Sequence, residues 1–389
     1  MDARSWRACV SITDTPKPSY TRAAAQAAAL SFSRRALLAG GVASLAPAAF
    51  ADTPFDASVG ADLPRVPGYD TIAEAVASAP AGDSRFSIYL GDGVYREKLA
   101  ITRANVMLAG QSWNAVISCD TAAGMRAPDG QPWGTWRCAT LRVQAPGFSA
   151  RNLSIENAFD YVADLAHPQF ERVGSNGAQA VALMLDAGSD RAAFENVRIT
   201  GHQDTLFANA GHGVFRHCFI SGSVDFIFGA GAMFFDRCEL QSRYRPLMQR
   251  NHGWVAVPST PRTAPFGLVF NRCRLTREPQ VPLASVALGR PWRPARDFPD
   301  GHYGDLNALG MAAFLHCWMD DHISADGWDE MGYADRTGTR VFLEPSDARF
   351  GEYASQGPGA FVNRRRPQLS AAFARSITEA RVLSSPETP

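Results

Sequence analysis

No sign of charge prevails in this chain of 389 residues, because Lys+Arg and Asp+Glu each number 38. A nucleic-acid binder held by a basic surface is therefore excluded. No apolar run reaches the roughly 20 residues needed to cross a bilayer as a helix. Missing too are H-E-x-x-H, any C-x-x-C, a G-x-S-x-G nucleophile elbow and the glycine-rich loops that cradle phosphates or dinucleotides. The eight His do not cluster at metal-ligand spacing. With 33 Gly and 25 Pro the chain is too poor in both for a collagen-like or low-complexity protein. With 46% hydrophobic residues, including 23 Phe and 8 Trp, it is too apolar for disorder. An ordinary globular chain remains, long enough for one large domain or two medium ones.

Residues 1–51 differ from the rest. Ser33-Arg34-Arg35-Ala36-Leu37-Leu38 opens an apolar, small-residue stretch ending in Ala49-Phe50-Ala51, an A-x-A cleavage pattern. A charged start, a short apolar run and small residues at the end read as a cleaved export signal, and the arginine pair as the twin-arginine type. This segment carries six basic and two acidic side chains, so residues 52–389 are acidic by four. The expectation is an exported, periplasmic or secreted protein, free of the membrane after cleavage. Six of the seven cysteines would then sit where disulfides persist.

The middle of the chain hides a repeat of the form Phe-x-x-(Cys/Val)-x-(Ile/Leu/Met). It runs Phe194-Glu-Asn-Val197-Arg-Ile199, Phe215-Arg-His-Cys218-Phe-Ile220, Phe235-Asp-Arg-Cys238-Glu-Leu240, Phe270-Asn-Arg-Cys273-Arg-Leu275 and Phe314-Leu-His-Cys317-Trp-Met319. Ala150-Arg-Asn-Leu153-Ser-Ile155 precedes them. The starts fall 21, 20, 35 and 44 apart, a period near 20 with insertions, which is solenoid arithmetic. Units rich in Phe, Val and Ile and punctuated by Gly, Asn and Asp are strands and turns, so stacked coils form a parallel β-helix. A β-sandwich with coincidental spacing is the alternative. Coil neighbours lie about 4.8 Å apart, inside the roughly 4.4–6.8 Å Cα range of a disulfide. A Cys218–Cys238 bond is expected on that ground; Cys273 with Cys317, 44 apart with room for an intervening coil, and Cys119 with Cys138 are weaker pairs, and small buried hydrophobes are the alternative for all of them. Short helices are expected at both ends, near Tyr69–Ala77 with Asp70 as N-cap and over 368–383 with Leu369, Phe373, Ile377 and Ala380 on one face. Nothing in the composition marks a second domain within 52–389.

Asp204 and Asp225 each lie ten residues after their repeat's Phe, at one place on adjacent coils. Two carboxylates a strand apart cannot easily both ionise, which pushes one pKa up and makes an acid/nucleophile pair. Gln203 and Gln179, 24 apart and so about one coil, are amide donors suited to an oxyanion. Arg290 is suited to hold a carboxylate ionised through a bidentate pair. Phe228 and Trp292 offer faces for sugar rings.

These residues stand in motifs that resemble the pectin methylesterase family, and its bacterial members most closely. The motifs are Tyr69-Asp-Thr-Ile, Gly93-Val-Tyr-Arg-Glu-Lys98, Gln179-Ala-Val-Ala-Leu, Gly201-His-Gln-Asp-Thr-Leu, Asp225-Phe-Ile-Phe-Gly, Leu288-Gly-Arg-Pro-Trp and Gly327-Trp-Asp-Glu-Met331, in order along nearly the whole chain after residue 51. The resemblance implies a right-handed β-helix and the hydrolysis of methyl-esterified homogalacturonan (pectin) by a monomeric, cofactor-free enzyme. It implies Asp225 as nucleophile, Asp204 as acid and then base, Gln179 and Gln203 as oxyanion donors, and Arg290 as the partner of Asp225. Phe228, Trp292, Met331 and Phe207 would line the cleft. Where the family often has Tyr, this chain has His202 and Phe207, which alters sugar contacts without touching the carboxylates. A thioesterase, a calcium-dependent pectin lyase and a silent carbohydrate-binding β-helix are the competing functions. The lyase lacks its acidic calcium ligands, and the silent module would have lost some of these polar groups.

Overall fold

The computed structural model describes residues 10–11, 55–168, 171–173, 177–246 and 251–384. Apart from Val10–Ser11, which pair antiparallel with Gln368–Leu369, the expected export signal lies outside the described residues. The rest is a parallel β-helix. Its walls are sheets of thirteen, eight and seven strands, in which almost every strand hydrogen-bonds to its counterparts on the coils before and after.

The sequence repeat is the register of the long sheet. Ala150, Phe194, Phe215, Phe235, Phe270 and Phe314 pair in turn across it. The five Phe rings stack inside the core with centroids 4.5–4.7 Å apart. Two residues after each ladder position the chain turns from the long sheet into the eight-strand sheet. There Asn152, Asn196, His217, Arg237, Arg272 and His316 all take a left-handed backbone with φ of 51–54°. Asn adopts this conformation more readily than most residues, and Asn196 Nδ2 donates to Asn152 Oδ1 at 2.9 Å. The strands after the turn supply a second inward ladder, Ile155, Ile199, Ile220, Leu240, Leu275 and Met319.

The expected Cys218–Cys238 disulfide is absent: both thiols are free and buried, as are those of Cys273 and Cys317. Residues in register on parallel strands project their Cβ atoms the same way, so the sulfurs stack instead of facing each other. A short Cα separation alone does not meet disulfide geometry. Each thiol instead donates to a Phe carbonyl on the preceding coil: Cys218 to Phe194, Cys238 to Phe215, Cys273 to Phe235 and Cys317 to Phe270, at 3.3–3.6 Å. Burial pushes the thiols of Cys218, Cys238 and Cys273 well up, so they stay protonated. No coil intervenes between Cys273 and Cys317. Leu268–Asn271 pairs directly with Met311–Leu315, and the extra residues leave the coil, partly as an antiparallel hairpin of 295–298 with 301–304. Cys119 and Cys138 are also unbonded.

The described helices are short: α1 (Ile72–Ala77), α2 (Tyr161–Ala166), α3 (Ala371–Ser376) and α4 (Glu379–Leu383). α1 closes the first coil with Ile72 and Ala75 in the core. Its N-cap is Thr71, not Asp70, because Thr71 and Glu74 form a reciprocal capping box. The expected C-terminal helix breaks at Ile377–Thr378 and does not cap the end. With α3 and α4, Leu369, Phe373, Ile377 and Val382 cover Phe234, Val269, Ala313 and Leu315 on the outer face of the long sheet. A β-strand with apolar residues on both faces needs such a cover, and the chain's own tail supplies it.

Candidate active site

The seven-strand sheet carries the candidate residues. Inward it contributes Leu99, Leu141, Leu183, Leu206, Ile227 and Ala256 to the core. Outward, the alternate positions Met184, Phe207, Phe228 and Val257 form a separate apolar cluster, with Trp133, Trp254, Trp292 and Met331 packed on it. Leu206 pairs with Ile227, so Asp204 and Asp225, two residues earlier, occupy matching turns on adjacent coils. The Asp204 amide donates to the Val224 carbonyl at 3.0 Å, tying the two turns together. Both aspartates have left-handed backbones, with φ of 64° and 52°.

The two carboxyl groups have different surroundings. Arg290 follows the strand Val286–Gly289 and grips Asp225 with both arms of its fork, Nε to Oδ1 at 2.9 Å and Nη2 to Oδ2 at 2.7 Å. Asp204 is buried, and no described residue donates a hydrogen bond to its carboxyl. Burial raises its pKa well above the carboxylate range; the charge of Asp225 adds to the rise and Arg290 opposes it. The site therefore sets a carboxyl whose burial favours the protonated form beside one held in an ion pair with arginine.

Gln203 adjoins Asp204, and its carbonyl accepts from the Ala180 amide, so Gln179 and Gln203 lie on adjacent coils. Both side chains are partly exposed, and among the described residues neither amide group has a hydrogen-bond partner. Phe207 and Phe228 stack at 4.2 Å but are only 0% and 3% exposed. They form a floor, and the partly exposed Trp292 stands edge-on above Phe228 at 5.7 Å. Met331 opens the hairpin of Met331–Ala334 with Arg340–Leu343 beside them. His202 is buried and stacks on Tyr161 of α2 at 5.2 Å. Burial, then the charges of Arg243 and Arg245, lower its pKa to about 3, so it stands as a neutral ring. Among the described residues, no three His, Cys, Asp or Glu side chains converge to hold a metal.

Sequence reasoning missed three tryptophans, one of them Trp133 on the outward cluster. Trp136 is 47% exposed and rests on Phe207 at 4.8 Å. Its signal was legible: an aromatic residue in a Gly- and Pro-rich excursion has no core to enter. Trp254 lies against Arg290, and the insertion that precedes it breaks the coil count that would have located it.

The chain matches a family model described as Pectinesterase over residues 58–382. It is 43% identical to Pectinesterase A of Dickeya chrysanthemi over 319 residues, covering 81% of this chain and 87% of that protein. Among solved structures, a pectin methylesterase in complex with a hexasaccharide superposes with a TM-score of 0.83 at 43% identity, covering 86% of this chain and 98% of the other. The pectin methylesterase of Yersinia enterocolitica superposes with a TM-score of 0.78 at 44% identity, over 80% and 97% of the two chains. The β-helix and these likenesses lead to one conclusion: the chain belongs to the pectinesterase family and is a carboxylic ester hydrolase of that type.

Proposed function

We propose that the protein hydrolyses the methyl esters of polygalacturonate, releasing methanol, through a covalent intermediate on Asp225. The observation that carries this reading is the pair itself: Asp225 clasped by Arg290, one coil from a buried Asp204 whose pKa burial raises. An Asp225 oxygen attacks the ester carbonyl, and the amides of Gln179 and Gln203 donate to the oxyanion that forms. As the tetrahedral intermediate collapses, Asp204 gives its proton to the departing methoxide and methanol leaves. Asp204, now a carboxylate, takes a proton from water, whose hydroxide attacks the acyl-enzyme and restores Asp225. Trp292 and Met331 contact the sugar, with Phe228 and Phe207 beneath them. The protein acts as a monomer after export by a twin-arginine signal removed near Ala51, leaving 52–389 as one domain; mass spectrometry of the exported chain checks that boundary.

Methanol release from highly methylated pectin by residues 52–389, beside Asp225→Ala and in the presence of chelator, tests the reading. Methanol from the native chain alone, unaffected by chelator, is the expected result. No methanol from a folded protein overturns the substrate assignment.

A further inference from the structure

Arg290 is held by more than Asp225. The flat face of its guanidinium lies 3.8 Å from the ring centroid of Trp254. The Trp254 indole Nε1 donates to Asp329 Oδ2 at 3.0 Å, and Asn251 Nδ2 donates to the same oxygen. The other Asp329 oxygen accepts from the Glu330 amide at 3.0 Å. The Asp329 amide in turn donates to the carbonyl of Gly289, the residue before Arg290, at 2.9 Å. The circuit Arg290–Trp254–Asp329–Gly289 closes on itself.

A guanidinium has two distinct surfaces: N–H groups around its edge and a weakly hydrated face that favours an aromatic ring. Bidentate pairing needs the fork and the carboxylate nearly coplanar. An arginine tethered only by its stem and its edge can still tilt about the line joining it to the carboxylate. A ring pressed on the face removes that freedom, and Asp329 fixes the ring by its one N–H. We propose that Trp254 is a positioning residue for the esterase reaction: it sets the plane of Arg290, and through it the orientation of the Asp225 carboxylate, with Asp329 anchoring the indole. This rests on the assignment of Asp225 as nucleophile.

The test is steady-state methanol release from methylated pectin by Trp254→Ala, Trp254→Phe, Arg290→Lys and the double variant Trp254→Ala/Arg290→Lys, with thermal unfolding of each. Misplacing a reacting group by about 1 Å costs on the order of 100-fold. Trp254→Ala should therefore lose roughly 10–100-fold in kcat with KM held within about threefold, and Trp254→Phe, which keeps the face, should recover most of it. A lysine ammonium has no face to stack, so in the Arg290→Lys background removing Trp254 should cost less than about threefold. A raised KM with kcat kept would make Trp254 a sugar platform and overturn the proposal, as would additive losses in the double variant. If Trp254→Ala folds poorly, Asp329→Ala at a partly exposed position gives the same reading: a fall in kcat supports the circuit, and an unchanged kcat overturns it. Asp225→Asn separates the two levels of inference. Turnover by that variant overturns the nucleophile and this proposal together, whereas an inert Asp225→Asn beside additive losses overturns the circuit alone.

Discussion

At the scale of single residues, the carboxyl pair is where function and stability pull apart. Asp204 binds its proton more tightly in the folded protein than in the unfolded chain, chiefly because it is buried. A carboxyl with a raised folded pKa favours folding at low pH, and that contribution is lost as pH climbs from the ordinary carboxylate value toward the raised one. Asp204→Asn, which cannot ionise, should unfold at a higher temperature than the native protein at neutral pH, by a few degrees in calorimetry. On the proposed mechanism the same variant should lose about 10²–10⁴-fold in turnover, the usual worth of a general acid. Gln203→Ala should lower kcat by about 10²–10³-fold if its free amide meets the oxyanion, with the fold unchanged. The neighbouring positions of Asp204 and Asp225 were legible in the sequence because coil arithmetic places them, whereas Arg290 was singled out by its side-chain chemistry and its motif alone. The burial of Phe207 and Phe228 was not legible, since an outward strand position reads as exposed until the loops that cover it are known.

At the scale of elements, repeat spacing read the strands correctly and side-chain direction incorrectly. Cys218 and Cys238 are one coil apart, as their positions in the repeat require, but neighbours in a parallel ladder point alike and do not bond. The native protein should therefore give the same unfolding temperature with and without reductant, and thiol titration in denaturant should count all six described cysteines as free. Phe235 stacks between Phe215 and Phe270 with no exposure, and Phe235→Ala should cost about 3–5 kcal/mol in denaturant unfolding. The helices were the least legible elements. Apolar spacing found α1, yet Asp70 and Thr71 are both good caps, and only the reply of Glu74 selects Thr71. The tail pattern over 368–383 fitted one helix, and the covering of Phe234 and Val269 on the long sheet demanded two with a bend between them.

At the scale of the whole molecule, two buried imidazoles give the fold a direction in pH. His322 is fully buried and neither ring nitrogen has a hydrogen-bond partner among the described residues, and burial lowers its pKa to about 4; His202 is lowered to about 3. Below pH 6.5 the unfolded chain protonates these rings and the folded one does not, so stability is full above that pH and falls as acid is added. Each ring contributes a slope of about 1.4 kcal/mol per pH unit between pH 6.5 and its folded value. Asp204 and Glu352, both raised by burial, work against that loss. His322→Leu should flatten the acid side of the stability curve, with a larger gain in urea midpoint at pH 5 than at pH 8.

The coils also separate what such a protein can change from what it cannot. The interval between Asp204 and Asp225 is the interval between two hydrogen-bonded strands, fixed by the geometry of the peptide group and shared by every coil of the solenoid. Trp136, Trp292 and Met331, which rest on the floor of Phe207 and Phe228, belong to excursions that leave the coil and return to it. An insertion or deletion there can redraw the surface offered to a polysaccharide while the spacing of the carboxyl groups stays the same. Taste in substrate is then a matter of loops and reactivity a matter of backbone, and selection can revise the first without reopening the second.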